Sequence, residues 1–142
     1  MHDIRLLASG PHLKGAALEV PGGGPRRVTA IVYAYETEAG WRFGAPRGTE
    51  KGIQLVLRAE EDCVIELRDE GRVLRRRAVS GERSVRLTVR VIGDCLDAYV
   101  EGHRLGRVRR RGADRLSASL IAAGIGAAAF SGIRQEPIEP TE

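Results

Sequence analysis

The sequence predicts an all-β domain built as a two-sheet antiparallel β-sandwich. Three observations carry that expectation. Apolar and polar residues alternate in short runs, Gly, Pro and Asp turn chemistry interrupts them at intervals of about 8–12 residues, and helical periodicity is nearly absent. Only six of 142 residues are aromatic, so a core must come from Val, Leu, Ile and Ala, which suits β-branched strands better than an aromatic-rich barrel. A chain of this length buries roughly two thirds of its unfolded surface and needs no staples. One domain over residues 1–136 is therefore expected, with 137–142 (PIEPTE) as a flexible tail.

Taken in order, AALEV (16–20) is a first strand, and PGGGP (21–25) is a turn that no strand interior could contain. VTAIVYAYETE follows, with Val28, Ala30, Val32 and Ala34 on one face and Thr29, Ile31, Tyr33 and Tyr35 on the other. Both faces carry bulk, so neither reads as simply solvated. Over 37–52 the glycines and Pro46 predict a loop that holds Trp41 and Phe43, which project the same way if that segment is extended.

GIQLVLRAEEDCVIELRDEG predicts a hairpin. Ile53, Leu55 and Leu57 point inward, residues 60–62 turn, and Cys63, Ile65 and Leu67 point inward again, leaving Val64, Glu66 and Arg68 outside. A turn at 69–71 leads into the strand RVLRRRAVS. SVRLTVRVIG is the cleanest half-buried strand, with Val85, Leu87, Val89 and Val91 inward and Arg86, Thr88 and Arg90 outward. After Gly93 and Asp94, Leu96, Ala98 and Val100 point in, and Cys95, Asp97 and Tyr99 point out. RLSASLIAAGIGAAAFSGIRQEP reads as two strands, LSASLIAAG and AAAFSGIRQ, because Gly124, Gly126 and Gly132 would each cost a helix about 1 kcal/mol.

The formal charge is +4, and arginine supplies nearly all the positive charge, since only Lys14 and Lys51 are lysines. Two clusters stand out, Arg72, Arg75, Arg76 and Arg77 in one and Arg107, Arg109, Arg110 and Arg111 in the other. At one edge they would make a positive patch; solvated edge charge that blocks strand pairing is the plainer reading. Neither cluster interleaves aromatics for base stacking, so nucleic acid is not expected as a partner. Cys63 and Cys95 lack CxxC spacing and a His pair, which leaves two thiols or one disulfide and no zinc site. The start, MHDIRLLASG, lacks the basic residues and apolar run of a signal peptide, and no stretch approaches the roughly 20 apolar residues of a membrane helix. A cytoplasmic protein with no membrane partner is the expectation.

From 52 to 135 the chain resembles the second half of a concanavalin-like or laminin-G-like jelly roll, the sandwich that also serves as the C-terminal module of invertase-type glycoside hydrolases. GIQLVLRAEEDCVIEL is similar to the family's strand pair that turns through acidic residues. VRLTVRVIGDCLDAYVEGHRLG is similar to its hairpin, which ends in a turn usually written V-N-G and here Val100, Glu101 and Gly102. GIGAAAFSGIR is similar to its closing strand. The resemblance implies a jelly-roll fold; Glu101 stands where asparagine is usual, and the motifs concern turns and not ligands.

No catalytic constellation is present. Glu66 and Asp97, each outward on its own strand, could act together only if those strands were neighbours, and GIGAAA lacks the βαβ context of a dinucleotide site. No metal ligand set or cofactor motif is found, and none is expected. The leading expectation is a non-catalytic module that binds a carbohydrate or another polar or anionic ligand. Tyr33, Tyr35, Trp41, Phe43 and Tyr99 would stack on it, and Arg86 and Arg90 would donate hydrogen bonds. The alternative is a structural domain whose face with Ile31, Tyr33 and Tyr35 is covered in a homo-oligomer or by a partner protein.

Overall fold

The computed structural model describes residues 4–8, 16–44, 51–59, 63–79, 84–123 and 126–138. Alternation builds them into twelve strands: β1 (Ile4–Ala8), β2 (Ala16–Val20), β3 (Arg26–Tyr35), β4 (Thr37–Phe43), β5 (Ile53–Ala59), β6 (Cys63–Asp69), β7 (Arg72–Ala78), β8 (Ser84–Ile92), β9 (Cys95–Val100), β10 (His103–Arg109), β11 (Ala118–Ala123) and β12 (Gly126–Pro137). Sheet one runs β1-β12-β3-β8-β9-β10 and sheet two β2-β11-β4-β5-β6-β7, and every pairing is antiparallel. The two sheets bury their inner faces against each other, as a sandwich must when each has one apolar face.

The expected inward sets form the core. Val28, Ala30, Val32 and Ala34 of β3 and Val85, Leu87, Val89 and Val91 of β8 face Leu55 and Leu57 of β5 and Ile65 and Leu67 of β6, all buried. The turn expected at 60–62 lies outside the described residues. β1 and β10 complete the two ends of sheet one.

Trp41 and Phe43 require a correction. They sit on β4 and not on a loop, and both are buried in the core, so neither can stack on a ligand. They do project the same way, because the segment is extended. Trp41 fills the space between the sheets and donates its indole N–H to the Leu87 carbonyl at 3.1 Å. The glycine that suggested a loop, Gly40, is a packing requirement: a Cβ there would lie 2.0 Å from the Leu55 carbonyl oxygen of the adjacent strand.

Buried Arg26 ties the end of the sandwich together. It donates to the Gln135 side chain and to the carbonyls of Gly24, Asp114 and Leu116 at 2.8–3.1 Å, and lies 5.5 Å from the centre of the Phe43 ring. Beside it β12 continues to Pro137 opposite Arg26, and the Ile138 N–H donates to Pro25. The ladder thus holds the chain slightly beyond the boundary expected for the tail; residues 139–142 lie outside the described residues. Cys63 and Cys95 are free thiols on different sheets.

Candidate binding groove

The outward rows of β12, β3, β8 and β9 enclose a groove of about 740 Å³ on the outer face of sheet one. Strand register sets its layout. Thr29 of β3 pairs with Thr88 of β8, which pairs with Tyr99 of β9, and the two threonine hydroxyls share a hydrogen bond of 3.2 Å at the centre. One step along, Arg27 stands opposite Arg90, and one step the other way Ile31 stands opposite Arg86. Gly102, from the turn after β9, closes the end near Arg86.

The fourth wall depends on a bulge. Between Ser131 and Arg134 the β12 ladder gains one residue, and Gly132 sits at φ 58°, in the left-handed region that glycine enters without penalty. The extra residue lets Phe130 and Ile133 both pack toward the core while Arg134 and Glu136 turn out into the groove. Strict alternation from Phe130 would point Arg134 inward. Reading parity alone therefore misses Arg134; a glycine in the middle of an alternating strand was the available signal.

Of the seven candidate ligand residues, Tyr99, Arg86 and Arg90 line the groove together. Tyr33 and Tyr35 lie farther along β3 on the same face, 39% and 45% exposed, and outside the groove walls. Trp41 and Phe43 are excluded by burial.

Glu66 and Asp97 face outward as expected, yet both are buried, at 1% and 5% exposure. Arginines of the same and neighbouring strands cover them and pair with their charge. Glu66, on the outer face of sheet two, meets Arg58 at 3.2 Å, Arg68 at 2.6 Å and Arg76 at 2.8 Å, and Arg68 reaches on to Glu38 at 2.8 Å. Burial pushes the Glu66 carboxyl upward, but the Arg68 hydrogen bond, the Arg68 charge and the further contributions of Arg76 and Arg58 outweigh it and hold the group below the usual carboxylate range. Asp97, on the outer face of sheet one, meets Arg107 at 2.7 Å and Arg104 at 3.3 Å. The two carboxylates are thus on opposite sides of the sandwich.

The two arginine clusters do come to one edge. β7 ends sheet two, β10 ends sheet one, and the strands lie against each other, with the Arg75 stem next to Gly106. Arg110 pairs there with Asp69 and, at 3.5 Å, with Glu70.

No family model and no curated protein matches this chain. Solved structures do. The GH43 protein BlXynB from Bacillus licheniformis superposes with a TM-score of 0.73 at 14% identity, over 96% of this chain and 33% of that one. The carbohydrate binding module CBM66 from Bacillus subtilis gives 0.62 at 12% identity, over 94% of this chain and 81% of that one. The galectin LEC-6 from Caenorhabditis elegans gives 0.52 at 14% identity, over 89% and 95%. The shared feature is the fold. This chain has a concanavalin-like jelly-roll sandwich fold, and it spans about a third of the BlXynB chain.

Proposed function

We propose that this chain is a non-catalytic binding module that holds a carbohydrate in the groove of sheet one. The observation that carries the reading is the composition of that groove: a central pair of hydroxyls, Thr29 and Thr88, one tyrosine wall, Tyr99, and flanking guanidinium donors. A sugar offers matching chemistry, with hydroxyls for the polar groups and C–H faces for the ring. That a carbohydrate binding module and a galectin share the fold supports the same reading. A glycoside hydrolase places two carboxylates about 5–9.5 Å apart. The separation of Glu66 and Asp97 onto opposite faces, each engaged by arginines, supports a module without catalysis.

Titration calorimetry across neutral and acidic oligosaccharides tests this. At least one is expected to bind, and Tyr99→Ala is expected to weaken it by about tenfold or more, roughly 1.4 kcal/mol, with an unchanged melting temperature. Failure of every saccharide to bind would remove the reading. Exposed Tyr33 and Tyr35 favour a second one, self-association through this face. Light scattering on the same samples separates the two, because a stable dimer without saccharide binding fits only the second.

A further inference from the structure

We infer that the groove selects an acidic saccharide, one that carries carboxylate or sulfate groups; this rests on the groove being a saccharide site. Several arginines outside the groove are held by carboxylates. Glu66 takes three of them, Asp97 two, and Arg110 pairs with Asp69 and Glu70. Arginines without a carboxylate partner also stand at the β7/β10 edge, Arg75, Arg77 and Arg109 among the described residues, but those of the groove converge on one concave surface. Arg86, Arg90 and Arg134 have no carboxylate within ion-pair distance among the described residues, and Arg27 has only Glu136 at 3.4 Å, both side chains about half exposed.

The register sets two of these like charges side by side, with Glu136 beyond Arg27 and Asp97 beyond Arg90. Arg27 and Arg90 are direct cross-strand partners, and like charges so placed repel. Asp97 of β9, the direct partner of Arg90, is already engaged by Arg104 and Arg107 of β10 on its other side. An anionic group lodged between Arg27 and Arg90 would relieve the repulsion. Arg86 and Arg90 stand four residues apart on β8, a span of about 13 Å, and Arg134 pairs with Thr29 on the far side of the threonines. The charges therefore surround the neutral hydroxyl centre, as a ligand needs when polar rings carry acidic substituents. The guanidinium fork fits carboxylate and sulfate oxygens two at a time. With Tyr99 as the single aromatic wall, the groove lacks the succession of rings on which nucleic-acid bases stack.

The test compares polygalacturonate with its carboxyl-reduced form, dextran sulfate with dextran, and poly(U) as a non-saccharide polyanion. It uses the wild type, the groove variant Arg86→Gln/Arg90→Gln and the edge variant Arg75→Gln/Arg77→Gln, each with its melting temperature checked. At least one acidic polymer is expected to bind about tenfold or more tighter than its neutral counterpart, to weaken by at least about tenfold in the groove variant, and to change by less than about threefold in the edge variant. Polygalacturonate against dextran sulfate distinguishes carboxylate from sulfate. Equal binding of neutral counterparts would overturn the acidic preference while leaving the saccharide reading intact. Loss in the edge variant instead of the groove variant, or poly(U) binding as tight as that of the acidic saccharides, would also overturn it. Binding of no polymer, acidic or neutral, would overturn both readings.

Discussion

Replacing Glu66 with alanine is expected to lower stability by about 3 kcal/mol, read from urea denaturation at pH 7. The carboxylate is 1% exposed and is the shared counter-ion of Arg58, Arg68 and Arg76, so its loss leaves three positive charges crowded on one face of sheet two. Arg58 and Arg76 are 40% and 59% exposed and can turn to water, which keeps the cost at the low end for a broken buried pair. Arg68, only 13% exposed, retains Glu38. A pH dependence follows. Because the folded protein holds this carboxyl below its unfolded value, the stabilisation is fully present above about pH 4.5 and is lost as pH falls further through the folded value. Glu66→Gln is therefore expected to flatten the acid limb of the stability profile. A residual slope belongs to Glu70, whose carboxylate is held low by hydrogen bonds from the Lys51 and Gly52 amides at 2.8 and 2.9 Å and by Arg110. An acid limb in Glu66→Gln as steep as that of the wild type would contradict the assignment.

Trp41→Ala is expected to cost about 4 kcal/mol and to lower the melting temperature by roughly 10–20 °C. The substitution empties the largest side-chain volume in the core and removes the hydrogen bond that links β4 to β8 across the two sheets. Trp41→Phe keeps most of the volume and loses the N–H donor, so a smaller cost of about 1–2 kcal/mol is expected. Trp41 is the one tryptophan of the chain, which gives a direct check on its location. Its fluorescence should be blue-shifted, resistant to acrylamide and unchanged by saturating saccharide. Quenching by ligand would return Trp41 to the binding surface.

Most of the framework was legible because period two is a strong signal when one sheet face is buried. The inward positions of β3, β5, β8 and β9 follow from alternation alone. Three features were not legible, each for a physical reason. Gly40 imitates a loop, although it serves close backbone packing inside β4, the strand that carries Trp41 into the core. Alternation gives direction and not exposure, so outward Glu66 and Asp97 read as solvated until arginines of their own and adjacent strands are seen to cover them. The bulge at Gly132 reverses parity and brings in Arg134, which pattern reading assigns to the other face. Of the groove, Arg86, Arg90 and Tyr99 were readable as outward residues; that they share one surface depended on β8 lying beside β9 and β3, a matter of sheet order.

Amide chemical-shift mapping of the 15.4 kDa protein during titration with the tightest-binding saccharide locates the bound ligand on the sandwich. The expected perturbations cluster at Thr29, Ile31, Arg86, Thr88, Tyr99, Gly102 and Ser131, with the outer face of sheet two silent. Shifts centred on β7 and the Arg109 end of β10, or spread across Glu66 and its arginines, would contradict the groove as the binding site.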